Sequence, residues 1–144
     1  MPDKLDLSEL PAILRSVPLF SGMTDRSIDM IATFAVERSF DDGAVLAQEG
    51  DVGDSFIVIR RGSASVDQGG SHLRDLGSGD FLGEIALIDG GVRTATVIAT
   101  SPIEALVIDR DGFRRLMDEF PVVRLDIVSA LAQRLRAQGT SPLD

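Results

Sequence analysis

Apolar positions change their period twice along this chain and so divide it into three stretches. From residue 5 to 36 the spacing is helical. Leu7 and Leu10 lead in, Ile13, Leu14 and Val17 follow every few residues, and Pro18 breaks the run. Pro11 stands near a helix start, where its missing N–H is harmless. Thr24 is placed to N-cap a second helix carrying Ile28, Ile31 and Phe34 or Ala35 on one face. From 37 to 108 short apolar runs alternate with turns rich in Gly and Asp at 41–43, 49–54, 61–63, 68–70 and 77–80. The runs are Val45–Ala47, Phe56–Ile59, Ala64–Val66, Thr96–Ala99 and Ala105–Ile108. Turn signals every 8–12 residues or so predict an antiparallel barrel or sandwich, here a small roll of about eight strands. Phe56-Ile57-Val58-Ile59 is apolar without interruption, which predicts a strand buried on both faces.

From 109 to 137 the helical period returns. Asp109 or Asp111 can cap a helix running through Phe113, Leu116 and Met117, and Phe120-Pro121 marks a bend. A longer helix then aligns Leu125, Val128, Leu131 and Leu135 on one side, a stripe to pack on the roll or to pair with the same helix of a second copy. Gly139 to Asp144 read as a loose tail. The expected fold is mainly β with flanking α: one domain over 1–144, with helices at 5–36, a roll at 37–108 and helices at 109–137.

Composition narrows the function by exclusion. With 44% hydrophobic and 26% charged residues, the chain is ordinary for a globular domain. It has no Cys and a single His, His72, which removes disulfides, thiolate metal sites, His-rich metal sites and Ser-His or Cys-His catalysis. His72 itself falls in a predicted hairpin and reads as a solvated loop residue. No apolar run approaches the roughly 20 residues that span a bilayer, and no basic region precedes an apolar one at the N-terminus; a cytoplasmic location is the default. A net charge of −9, with Lys4 the only Lys and the Arg scattered, argues against a nucleic-acid surface. Between Asp41 and Asp89 there are 10 Asp or Glu against 3 Arg, and Arg93 follows directly in a Gly-rich loop. An acidic chain that binds an anion must concentrate positive potential locally, through one Arg and nearby N–H groups.

The segment 81–97 has that layout. Gly83-Glu84 precedes a short apolar turn, then a loop containing Gly90-Gly91, then Arg93 followed by Thr94, Ala95 and a strand. Arg93 can face a phosphate with its planar fork, Glu84 can accept a hydroxyl hydrogen, and small residues let backbone N–H groups approach closely. Gly77-x-Gly79-x-x-x-Gly83 does not open a helix in a βαβ unit and reads as turn glycines; no Lys lies near a Gly-rich loop, so no Walker A motif is present. Asp51 and Asp54 read as turn formers, too few for a calcium loop.

The segment resembles the phosphate-binding cassette of the cyclic nucleotide-binding domain family. The helix–roll–helix order and the run Glu49-Gly50-Asp51 with Gly53-Asp54 extend the resemblance over residues 17–137. It implies a jelly-roll-like eight-stranded β-roll whose C-terminal helices act as hinge and lid. It implies a ligand set of Gly83, Glu84, Ile85, Ala86, Arg93, Thr94 and Ala95. In that set Gly83 and Ala86 give backbone contacts, Glu84 holds the ribose 2′-hydroxyl, Arg93 holds the cyclic phosphate, and the N–H groups of Thr94 and Ala95 lie beside it. Leu82 stands where the family often has Phe, and Val92 where Pro is common. With no Trp or Tyr, a lid over the base would be a Phe or an aliphatic residue of the last helix.

The expected function is a non-catalytic regulatory module, cAMP ahead of cGMP, with no further cofactor and no metal. Its output would pass through the last helix to an effector domain or protein, attached or docked, or to a second copy through the 122–136 helix. The alternative is a degenerate member that keeps the fold and binds only a protein. A cupin-type enzyme would need several His. A transcription factor would need a recognition helix after the last helix.

Overall fold

Turn residues set the strands of this protein, and strand pairing places the 81–97 loop. The structure, a computed structural model, describes residues 7–84 and 86–137. The chain ahead of Leu7, Ile85 and the 138–144 tail lie outside the described residues, as does the Leu135 side chain. The chain divides into two compact units: Ala35–Arg110, and Ser8–Phe34 with the chain from Asp111.

The first unit holds eight strands among the described residues: β1 (Val36–Phe40), β2 (Val45–Ala47), β3 (Ser55–Arg61), β4 (Ala64–Gln68), β5 (Ser71–Leu76), β6 (Phe81–Leu82), β7 (Thr96–Ala99) and β8 (Ile103–Asp109). They form two antiparallel sheets, ordered β1-β8-β3-β6 and β2-β7-β4-β5. Alternate side chains from both sheets make one core: Leu46, Ile57, Ile59, Ala64, Val66, Leu76, Val97, Ala99, Ile103, Ala105 and Val107. Phe56 and Val58 point the other way from β3 and are also buried, so the doubly buried strand is as expected. The expected apolar runs all become strands. Strands β1, β5 and β6 have no such run. His72 lies within β5, where Nδ1 is 3.0 Å from the Ser65 hydroxyl and the ring lies between Asp67 and Asp75.

In the second unit α1 (Leu10–Ser16) follows a 3-10 turn at Leu7–Glu9, with Pro11 in its first turn. Helix α2 (Asp25–Thr33) starts where Thr24 caps it; the Thr24 hydroxyl accepts from Ser27 N at 3.2 Å, and Ile28 and Ile31 are buried. Two helices complete the chain: α4 (Arg110–Glu119), following the short α3 (Ala86–Asp89) of the first unit, and α5 (Pro121–Ala137). Phe20 and Phe113 rings lie 6.3 Å apart within this unit.

Helix α5 departs from expectation. Its buried positions are Val123, Ile127 and Ala130, while Leu125 and Val128 are 66% and 58% exposed. Spacings of four and three from Val123 select that face. The stripe through Leu125 and Val128 therefore does not pack inward. Asp126 flanks the buried face. Its carboxylate accepts from Thr24 N (3.3 Å), the Thr24 hydroxyl (3.0 Å) and the buried Ser27 hydroxyl (2.7 Å). The Ser27 bond is the main cause holding the Asp126 pKa below the usual carboxylate range. A depressed folded pKa contributes stability at neutral pH that disappears as pH falls below the unfolded value of about 4. We expect Asp126→Ala to cost about 1–2 kcal/mol, modest because the carboxylate is partly exposed. Chemical denaturation should find that cost at pH 7 and a smaller one near pH 2.5; an equal cost at both would contradict this account.

No helix among the described residues is long and apolar enough to cross a membrane. The described residues hold no cluster of His, Cys, Asp or Glu that could bind a metal ion.

Candidate functional site

The β6 strand delivers the loop. Leu82 and Phe81 pair with Ile57 and Val58 of β3, and the chain then turns at Gly83 with φ +87°. Glu84 follows in the turn, α3 begins at Ala86, and Gly90 ends it with φ +59°. The Asp89 carboxylate accepts from Gly91 N at 2.7 Å, an Asx-type closure that stiffens the loop exit.

The return limb is pinned to the 49–54 turn by a short backbone ladder. Gly53 N donates to Gly91 O (2.8 Å), Arg93 N to Asp51 O (2.7 Å) and Gly50 N to Arg93 O (2.9 Å), with Val52 bridged to Val92. A second anchor comes from the β4–β5 hairpin, where Gln68 Nε2 donates to Thr94 O at 3.1 Å. The two Gly- and Asp-rich turns read from the sequence as loops thus form the walls that fix Arg93.

The Arg93 side chain folds back across Gly83. Its Nη2 donates to Ser55 O at 2.8 Å and lies 3.4 Å from the Ser55 hydroxyl. A Cβ placed on Gly83 would collide with Arg93 Nη1 and stand 2.5 Å from Ser55 O. Only glycine leaves room there for a guanidinium. Burial lowers the Arg93 pKa, and the negative charge of Asp54 raises it in partial compensation. Arg stays protonated at any physiological pH. The consequence is a partly desolvated cation whose Nη1 and Nε have no hydrogen-bond partner among the described residues. Neither Thr94 N nor Ala95 N finds an acceptor among the described residues either. A half-buried guanidinium followed by two open backbone donors is suited to an anion.

Among the expected ligand residues, Gly83 and Arg93 are brought into contact, with Thr94 and Ala95 continuing from the guanidinium-bearing residue. Ala86 supplies the first residue of α3, and Ile85 lies outside the described residues. Glu84 is half-buried in the turn, and its carboxylate takes no partner among the described residues. Arg93 is not paired with Asp89, which is engaged by Gly91. Sequence reasoning missed Ser55, the acceptor for Arg93, and the charge role of Asp54. The only signal for them was their place at the end of the 49–54 turn, Asp54 as its last residue and Ser55 as the next.

Comparison with known proteins places the chain in a family. Residues 37–120 match the family model described as "Cyclic nucleotide-binding domain". The chain belongs to the cyclic nucleotide-binding domain family. It is 34% identical over 126 residues to the cGMP-dependent protein kinase egl-4 of Caenorhabditis briggsae, an alignment covering 83% of this chain and 17% of the kinase. It is 34% identical over 104 residues to the cAMP-dependent protein kinase regulatory subunit of Hypocrea atroviridis, covering 72% of this chain and 22% of that protein. Among solved structures, the N-terminal domain of a transcriptional regulator from Streptomyces coelicolor A3(2) superposes with a TM-score of 0.76 at 27% identity, covering 90% of this chain and 96% of that one. The chain thus spans under a quarter of the length of either kinase-related relative, and the β-roll is the fold of this family.

Proposed function

We propose that this cyclic nucleotide-binding domain is a non-catalytic regulatory module that binds a 3′,5′-cyclic nucleotide at the 81–97 loop and transmits the bound state through movement of its C-terminal helix. The observation carrying this reading is the Arg93 guanidinium, held over Gly83 by Ser55 and followed by the open N–H groups of Thr94 and Ala95. Arg93 takes the cyclic phosphate, whose charge replaces the water that burial removes. Glu84, an acceptor only when ionised, takes the ribose 2′-hydroxyl. The backbone at Gly83 and Ala86 lines the sugar. Binding can shift α5 only by as much as the ligand favours one arrangement over the other. The exposed Val122, Leu125 and Val128 of α5 are the candidate surface for an effector or a second copy.

The sequence reading puts cAMP first. One observation favours cGMP: the Thr94 residue is exposed and its hydroxyl takes no partner among the described residues, leaving it able to accept from a guanine amino group. Competition titration with cAMP, cGMP, their 2′-deoxy forms and 5′-AMP tests the whole reading. Both ribose forms are expected to bind, with 5′-AMP excluded and each 2′-deoxy form weaker by about 10-fold or more, the loss of one hydrogen bond to a charged group. Equal binding of the deoxy forms would remove Glu84 from the site. Failure of both cyclic nucleotides to bind would favour the degenerate, protein-binding alternative.

A further inference from the structure

We propose that Arg110 is a positioning residue for the anion loop: its guanidinium lies flat beneath Gly90 and sets the path by which the chain reaches Arg93. The inference rests on the reading that Arg93 faces the anion.

Three observations carry it. A Cβ built on Gly90 would collide with Arg110 Nη1 and stand 2.6 Å from its Cζ and 3.1 Å from its Nε, so the whole guanidinium plane is against this one α-carbon. The backbone of Arg110 is tied to the same wall as the loop: its N–H donates to Asp54 O at 2.7 Å, and Gly53, next to Asp54, holds Gly91. The side chain makes no hydrogen bond or ion pair to any described residue, and its buried Nε has no acceptor there. A salt-bridging or capping role for Arg110 therefore has no partner on which to act. Burying an unmatched N–H is unfavourable, and the absence of a side chain at Gly90 is what leaves the guanidinium its space.

Gly90 also requires its glycine, because φ is +59° and the space above its α-carbon is taken. Two residues, Gly91 and Val92, separate it from Arg93, and that stretch is held along its length by backbone pairing with the 51–53 turn. A shift at Gly90 is therefore passed to the guanidinium as a change of height over Gly83.

The test uses Arg110→Met and Arg110→Lys, each in the wild-type and Arg93→Gln backgrounds. Each is titrated with cAMP and cGMP, and amide exchange is followed at residues 89–93 of the nucleotide-free chain. Arg110→Met is expected to weaken binding about tenfold in the wild-type background and less than about twofold beside Arg93→Gln, as coupled residues do. Arg110→Lys keeps the charge but not the plane and should lose as much as Met. Exchange at 89–93 should rise in both variants. Equal losses in the two backgrounds, wild-type affinity in Arg110→Lys, or unchanged exchange would each overturn the proposal. If the wild-type chain takes neither nucleotide, the reading of the site fails, and the exchange measurement alone still decides the role of Arg110.

Discussion

Arg93→Leu should reduce cyclic nucleotide affinity by about 2–5 kcal/mol, roughly 30- to 5,000-fold, while leaving the roll folded. The magnitude follows from what is removed. In the complex the phosphate would lose the one cation aimed at it, in a loop whose other donors are uncharged backbone N–H groups. In the free protein the loss is small, because the guanidinium makes one strong hydrogen bond, to Ser55 O, and is already partly desolvated. Arg93→Lys should recover only part of the loss. A single ammonium cannot both donate to Ser55 and present a flat fork to a phosphate. Calorimetric titration measures the affinity and thermal unfolding the fold. Wild-type affinity in Arg93→Leu would remove Arg93 from the site. A large drop in the unfolding midpoint would make it a structural residue.

Gly83→Ala should be the most damaging single methyl in the loop. Two costs combine. At φ +87° an L-residue is strained by about 1–2 kcal/mol. In addition, the new Cβ would meet Arg93 Nη1 and approach the Ser55 carbonyl to 2.5 Å. The carbonyl belongs to the edge of β3 and cannot move cheaply, so Arg93 must leave. We expect a stability loss of about 2–4 kcal/mol and weakening of nucleotide binding by about 100-fold. Gly43→Ala is the control. Gly43 has the same φ of +87° with nothing within 4 Å of its Cβ position, so it carries the strain without the collision and should cost about 1 kcal/mol. Equal effects of the two substitutions on binding would show that the space over Gly83 does not hold the guanidinium in solution.

The β-roll was legible wherever a strand buries its side chains. Phe56–Ile59 and Ala105–Ile108 carry their burial as uninterrupted apolar runs. Strands β1 and β5 were not legible in this way. Residues 36–39 are exposed, and so are 71–75, with Leu76 alone buried in β5. Strand β5 is the exposed return limb of the hairpin with β4, legible only from its turn, while β1 pairs with β8, and a partner some 70 residues distant, as Val107 is from Val36, leaves no mark in local composition. On α5 the period was legible but not the phase. Val123, Ile127 and Ala130 face inward and Leu125 and Val128 outward, because both sets recur at helical spacing and only tertiary packing selects between them.

The candidate site shows the same division. Arg93, Glu84 and the small residues after Arg93 could be read as anion chemistry because they are neighbours in one loop. Ser55, Asp54 and Gln68 could not, since each reaches the loop from 26 to 39 positions away through strand pairing. The requirement for glycine at 83 was read as backbone access to a ligand. The structure adds a second reason, that the Arg93 side chain occupies the space.

The central claim is that Arg93 and the N–H groups of Thr94 and Ala95 hold a cyclic phosphate, and a crystal structure of the chain grown with saturating cAMP or cGMP tests it most directly. The account predicts phosphate oxygens about 2.7–2.9 Å from the Arg93 guanidinium, accepting also from those two N–H groups, with Nη2 still bonded to Ser55. A loop free of nucleotide at saturation with both ligands, or a nucleotide bound elsewhere while Arg93 contacts only Ser55, would contradict it.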